Sequence, residues 1–227
     1  MDITRFCGMV FDLDGTLLDT LTDIADSANR VLRRRGFAAH PVDAYRHFVG
    51  DGMRVLAERV LPADRRTPEL AEALFHEIHT EYGSHWADAT VAYDGIAGLL
   101  EMLVGRGMSL SVLSNKPDDF TTAMVRHYFP KTPFRCVYGA GNGIPRKPDP
   151  AGALRVAAES GIPAEAFLYL GDTMVDMKTA TAAGMFPIGA LWGFRDEAEL
   201  REGGAKLLVR HPAELAAAIA GAGAAQG

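Results

Sequence analysis

Cysteine is almost missing from this chain. Its two residues among 227, Cys7 and Cys136, sit in separate apolar stretches with no metal-like spacing around either. A disulfide scaffold is excluded, and both thiols are expected to be buried packing groups in a reducing compartment. Excess positive charge is lacking as well. Lys and Arg number 23 against 29 Asp and Glu, a formal net charge of −6, so no global attraction draws the chain to a nucleic-acid backbone or an anionic membrane. The first fifteen residues carry Asp2, Arg5, Asp12 and Asp14 around a short apolar run, a pattern that fits neither a secretory signal nor a membrane span. The expectation is therefore a cytoplasmic protein with no membrane and no nucleic-acid partner. Internal repeats are also absent. The composition, 48% hydrophobic and 23% charged, suits a globular protein rather than a disordered or collagen-like one. At about 150 residues per domain the length lies between one domain and two, and one core with a smaller insertion fits best.

Phe6–Leu13 is a short apolar run ending in acidic and glycine residues, which predicts a buried strand running into a loop. Similar runs recur at Ser109–Leu113, Arg135–Tyr138, Ala166–Leu170, Phe186–Ala190 and Lys206–Val209. Helical patterns lie between them at Ile96–Val104, Phe120–Tyr128, Pro150–Ser160, Val175–Ala183 and Pro212–Ile219. This alternation predicts an α/β fold, a doubly wound, Rossmann-like parallel sheet covered by helices on both faces. Between Asp19 and Asp88 there is no convincing strand, only helical stretches at Leu21–Arg35, Pro41–Phe48, Met53–Leu61 and Pro68–Trp86. The predicted organisation is a catalytic core of residues 1–18 and 89–227 with an inserted all-helical cap at 19–88, joined by two adjacent connections that act as a hinge. The Ala/Gly-rich end is expected to fray beyond about Gly221.

Asp12-Leu13-Asp14-Gly15-Thr16 directly follows the first strand, where open α/β sheets collect ligands. Two carboxylates at one strand end repel, so one is expected to have a raised pKa, a pairing that separates a nucleophile or metal ligand from a general acid. Gly15 permits a tight turn, and Thr16 can offer its hydroxyl and amide to an oxyanion. The competing reading is an Asp/Gly turn that only caps a strand. Gly171-Asp172-Thr173-Met174-Val175-Asp176 follows a second apolar strand. Alone, Asp172 reads as a helix N-cap; beside Asp12 and Asp14, Asp172 and Asp176 complete an oxygen-rich site of the kind hard Mg²⁺ prefers. Ser114 and Asn115 end another strand with neutral donors, and Lys147 supplies a cation in a proline-stiffened loop. Each of these also reads singly as loop chemistry.

Taken together, DLDGT at 12–16, Ser114 at a strand end, Lys147 before Pro148-Asp149-Pro150, and GDTMVD at 171–176 resemble the ordered motifs of the haloacid dehalogenase superfamily. The helical interval is similar to the small cap found in one subclass. Ser114-Asn115-Lys116-Pro117, Val49-Gly50-Asp51-Gly52-Met53-Arg54 and Trp192-Gly193-Phe194-Arg195 look like the phosphoglycolate phosphatase branch. The resemblance implies a Mg²⁺-dependent phosphatase acting on a small phosphorylated metabolite, with 2-phosphoglycolate as the expected ester. Asp12 would form an aspartyl phosphate and Asp14 would serve as acid and base. Mg²⁺ would be held by Asp12, the Asp14 backbone carbonyl and Asp172. Thr16, Ser114, Asn115 and Lys147 would receive the phosphoryl oxygens, and Asp176 would hold Lys147 or a metal-bound water. Asp14 argues against dehalogenase chemistry, because dehalogenases of the superfamily lack that acid/base. Arg54, after the cap's two glycines, is the candidate for a substrate carboxylate, with a solvent-facing helix residue as the alternative. A phosphosugar mutase and a non-catalytic phosphate-sensing or partner-binding module stay open as other readings, and a monomer or homodimer fits either way.

Overall fold

The computed structural model describes residues 6–141 and 143–221; the fraying expected beyond Gly221 falls outside them. In chain order, β1 (Gly8–Phe11) and a two-residue β2 (Leu18–Asp19) precede the helical insertion. The insertion comprises α1 (Leu21–Arg34), a 3₁₀ turn running into α2 (Tyr45–Phe48), α3 (Met53–Arg59) and α4 (Pro68–His85). β3 (Val91–Ala92), α5 (Ile96–Gly105), β4 (Ser109–Pro117), α6 (Asp118–Tyr128) and β5 (Phe134–Ala140) follow. The chain ends with α7 (Ala151–Ser160), β6 (Phe167–Gly171), α8 (Met174–Ala182), β7 (Phe186–Ala190), α9 (Glu197–Glu202), β8 (Leu207–Val209) and α10 (Pro212–Gly221).

Six strands form one parallel sheet in the order β5-β4-β1-β6-β7-β8. Alternation along the central strands explains why both faces are covered. Met9 and Phe11 of β1, with Leu168 and Leu170 of β6, enter one apolar cluster, while Val10, Phe167 and Tyr169 enter another. Because Met9 pairs with Leu168 and Val10 with Tyr169, the register keeps like faces together. The chain builds from β1 outward to β4 and β5, then returns to build β6, β7 and β8. The strand order therefore reverses at β1, and the crevice beyond its carboxyl end is where such sheets bind ligands.

The insertion has its own apolar cluster. Leu21, Ile24, Ala25, Ala28, Val31 and Leu32 recur at helical spacing on α1 and pack with Tyr45, Leu56, Leu74, Ile78 and Tyr82. Arg33 and Arg34 occupy the last turn of α1, and Gly36, at φ +75°, ends it. Thr67 caps α4 by accepting from Leu70 N at 3.2 Å, with Pro68 in the first turn. Both connections to the core meet in a short antiparallel ribbon pairing Leu18 with Ala92 and Asp19 with Val91. Asp23, buried on α1, clamps the second connection: its carboxylate accepts from Ala89 N (2.9 and 3.1 Å), Thr90 N (2.8 Å) and Thr90 Oγ1 (2.7 Å).

Three expectations change. Cys136 is buried but Cys7 is exposed, at the rim of the sheet ahead of β1, on the opposite side of the pleat from buried Phe6 and Gly8. The ribbon of two-residue strands and the six-residue α9 were both too short to give a periodic pattern. β4 runs on through Ser114, Asn115 and Lys116 instead of stopping before them. Among the described residues, no helix is long and apolar enough to cross a membrane.

Candidate active site

Asp12 comes directly after β1 with its backbone still in the ladder, its amide donating to Leu170 O at 2.9 Å. Its Oδ1 accepts from Leu13 N at 2.7 Å and faces Lys147 Nζ at 2.8 Å. Lys147 is placed by Asn115, whose Oδ1 accepts from Lys147 N (2.8 Å) while its Nδ2 donates to Lys147 O (3.0 Å). The same ammonium reaches Asp176 Oδ1 at 2.7 Å. The other oxygen of Asp176 is taken up locally: Thr173 N and Oγ1 donate to Oδ2 at 3.1 and 2.7 Å, completing a capping box at the start of α8. Because Thr173 caps that helix, Asp172 is released from the capping role and turns into the crevice. It accepts from Thr16 Oγ1 at 3.0 Å and from Phe194 N at 2.8 Å. Gly15 (φ +80°) and Gly193 let the backbone press against Asp172, since a Cβ at either position would collide with its side chain.

Carboxylate oxygens of Asp12, Asp172 and Asp176 lie within 4.8 Å of one another, all buried. Burial foremost, then the charge of Asp176, lifts Asp12 from 3.8 to about 7 despite Lys147. Burial, Asp12 and Asp176 likewise hold Asp172 well above the ordinary carboxylate range. Burial disfavours the charge of Lys147, but Asp12 and Asp176 outweigh it and hold its pKa high. One lysine thus faces three acids, and the remaining negative charge with hard oxygen donors suits a divalent cation of the Mg²⁺ class. Asp12 lines the cavity, Asp172 accepts one neutral donor on each oxygen, and Asp176 is occupied by Lys147 and Thr173. The repulsion expected between Asp12 and Asp14 is only the last contributor to the Asp12 shift, because Asp14 has a cation of its own. Lys116 Nζ lies 3.0 and 3.3 Å from the two Asp14 oxygens, and Thr20 Oγ1 donates to Asp14 at 2.8 Å.

Above these groups the cap closes a cavity of about 40 Å³ lined by Asp12, Asp14, Ser114, Asn115 and Lys116 from the core and by apolar cap residues. Such a space accommodates on the order of three waters, so in this closed form only a small group fits. The seam is fastened in both directions. Arg46 of α2 donates to Gly193 O at 2.9 Å, and Arg195 donates to Val49 O at 2.9 Å and to Arg46 O. Asn115 Nδ2 also donates to Gly50 O at 3.1 Å.

Asp12, Asp14, Ser114, Lys147, Asp172 and Asp176 are brought together as the motif order suggested. Two of the expected phosphate donors have protein partners here. The Thr16 hydroxyl is engaged by Asp172, its amide donates to Leu13 O at 3.3 Å and its carbonyl accepts from Trp192 Nε1 at 3.0 Å, so Thr16 braces Asp172. The Asn115 amide group is occupied by Lys147 and Gly50, so its side chain positions Lys147 and fastens the cap. Arg54, the expected carboxylate contact, is placed apart from these groups. It lies outside the cavity, half-exposed, paired with Glu72 and with its guanidinium 4.0 Å from the centroid of the Phe75 ring. The group to which sequence reasoning gave no role is Lys116; its signal was its place in the motif Ser114-Asn115-Lys116-Pro117 at the end of β4.

The haloacid dehalogenase-like hydrolase family model matches residues 9–190, which include Asp12, Asp14, Ser114, Lys116, Lys147, Asp172 and Asp176. The chain belongs to the haloacid dehalogenase-like hydrolases. Within that family it is 33% identical over 193 residues to a protein from Pseudomonas putida named phosphoglycolate phosphatase, covering 82% of this chain and 70% of the relative. A protein of the same name from Psychrobacter arcticus is 32% identical over 86% of this chain and 87% of its own length. The fold matches a crystal structure from Lactobacillus delbrueckii subsp. bulgaricus with a TM-score of 0.89 at 27% identity, over 94% of this chain and 98% of that one. This haloacid dehalogenase-like hydrolase therefore shares its overall architecture with that neighbour.

Proposed function

We infer that the protein is a Mg²⁺-dependent phosphatase of a small phosphomonoester, 2-phosphoglycolate in the first place, working through an aspartyl phosphate. The observation that carries this reading is the placement of Asp12 between Lys147 and the Asp172 carboxylate, opening on a small closed cavity that Asp14 shares. The relatives named phosphoglycolate phosphatase support the choice of ester. The division of labour follows the two units, a core of 1–18 and 89–227 for the chemistry and a cap of 19–88 for enclosure.

An Asp12 carboxylate oxygen attacks phosphorus in line with the ester oxygen; the new O–P bond forms as the old one breaks, and Asp14 gives its proton to the departing alkoxide. In the second step Asp14 takes a proton from water as that water attacks the acyl phosphate. Phosphate leaves, and Asp12 is restored. Lys147 and the Ser114 hydroxyl face the negative charge on the phosphoryl oxygens, Asp176 and Asn115 fix Lys147, and the closed cap excludes bulk water. Asp12, Asp172 and the Asp14 backbone carbonyl would hold a hard divalent cation such as Mg²⁺, which when bound offsets the repulsion between a carboxylate and a phosphate dianion.

The test is phosphate release from a panel of small esters with Mg²⁺, run on the native protein and on Asp12→Asn. Multiple turnover on 2-phosphoglycolate that vanishes in the variant is the expected result. Near-native activity of the variant would remove the covalent step, and turnover of other esters but not this one would remove the substrate.

A further inference from the structure

Lys116 is a buried lysine that the chemistry of the phosphoryl group does not require. Lys147 already stands at Asp12 on the phosphoryl side. Lys116 lies on the far side of Asp14, its side chain 2% exposed, beneath the Tyr82 ring of α4 with Nζ 4.4 Å from the centroid. Among the described residues that line the closed cavity it is the cation. An ammonium has three donors. Two meet the oxygens of Asp14 and the third side is turned to Tyr82, so an anion entering the cavity that Lys116 lines would share the ammonium with these partners.

The rest of the cavity wall on the cap side is apolar: Ile24, Val49, Met53 and Leu56, with Phe194 from the core. A neutral hydroxylated group pressed against these side chains would lose its water and find no partner. A second anionic group would meet Lys116. The cap arginines are no alternative, because Arg54 is held by Glu72, Arg59 by Asp51, and Arg46 by Asp43 and Gly193 O.

We propose that Lys116 determines specificity by binding a second anionic group, a carboxylate, at the end of the substrate away from the phosphoryl group. This rests on the phosphatase reading above and names the residue that selects its substrate class. On substrate entry the Lys116 ammonium is shared between Asp14 and the incoming carboxylate, and the Tyr82 ring stays over its apolar stem.

The experiment separates selection from turnover by using ligands that cannot be hydrolysed. Binding of 3-phosphonopropionate, which carries a carboxylate, and of propylphosphonate, which does not, is measured by calorimetry in Mg²⁺ buffer. The native protein is expected to bind the carboxylate-bearing ligand at least about tenfold more tightly, as one charge-assisted contact implies. Lys116→Gln should bring the two affinities to within about twofold, and Lys116→Arg should keep most of the preference. Because each ratio is taken within one protein, a loss common to both ligands from disturbing Asp14 cancels. Equal binding by the native protein, or an undiminished preference in Lys116→Gln, overturns the proposal. If Lys116→Gln does not fold, Lys116→Arg decides with the native ratio: loss of the preference there despite retained charge also overturns it. Discriminating binding without phosphate release from any ester of the panel would refute the phosphatase reading and leave Lys116 its role; phosphate release without discrimination would do the reverse.

Discussion

Asp23 offers the most direct test of how the cap is tied to the core. Truncation to Ala removes the acceptor of four contacts from Ala89 and Thr90. Ala89 is exposed, so its amide can turn to water, but Thr90 is buried and its N–H and hydroxyl would be stranded. Each stranded buried donor costs about 1–3 kcal/mol, which puts the variant about 3 kcal/mol below the native protein. For a chain of this size each kcal/mol moves the thermal midpoint by about 2–4 °C, so a fall of about 6–12 °C is expected by calorimetry or circular dichroism. Asp23→Asn, which keeps one acceptor oxygen, should fall about half as far. Asp26→Ala on the exposed side of the same helix serves as control and should stay within about 0.5 kcal/mol. A double-mutant cycle with Thr90→Val should show strong non-additivity, since both changes remove one network. A midpoint for Asp23→Ala within about 2 °C of native, or additive effects with Thr90→Val, would show that the clamp does not hold the second connection.

Asp14→Asn should lower kcat on any accepted ester at least about 10²-fold, the usual worth of a placed acid/base. It should also lower the thermal midpoint, because buried Lys116 then faces an amide; a minor kinetic loss would assign the proton transfer elsewhere. In EDTA, folded Asp12 protonates near 7, whereas in the unfolded chain it stays ionised down to about pH 4. The folded state then binds the extra proton, so this group's contribution to stability falls as pH rises through about 7. The metal-free midpoint should accordingly drop between about pH 5.5 and 8, with Mg²⁺ raising it most at the upper end; equal Mg²⁺ effects at both ends would contradict the site. Arg195→Ala unfastens two cap carbonyls and is expected to raise KM several-fold through looser closure, which steady-state kinetics would detect and an unchanged KM would refute.

The parts of this molecule that follow from local sequence were readable in advance. Apolar runs ending in acid and glycine marked β1 and β6, and with them the positions of Asp12 and Asp172. Spacing on α1 and α4 marked the cap. Contacts set by partners distant in sequence were not readable. Lys116 reads in sequence only as part of a four-residue motif, and nothing nearby announces that Tyr82 and Asp14 enclose it or that Arg54 pairs with Glu72 and Phe75 on another helix. Asp23 sits in the first turn of α1, where an acid is ordinary, and nothing nearby in sequence announces that Thr90 will donate to it. Thr16 and Asn115 lie at the expected site with neighbouring residues as partners, which the sequence did not announce, because a single donor can serve either a ligand or a neighbouring residue and motif spacing does not distinguish the two.

The ribbon of β2 and β3 makes the insertion topologically removable. Asp19 and Val91 are paired neighbours, so the helical segment leaves and rejoins the core at one point, and a two-residue Asn-Gly turn would convert the ribbon into an ordinary hairpin. Swapping caps between relatives at this junction would preserve the chain path of the sheet. The junction alone is not sufficient, however. Phe120 and Phe194 belong to the core chain yet pack in the cap's apolar cluster, so a capless or chimeric protein would need polar residues there to remain soluble, and a graft would have to carry matching surfaces at both.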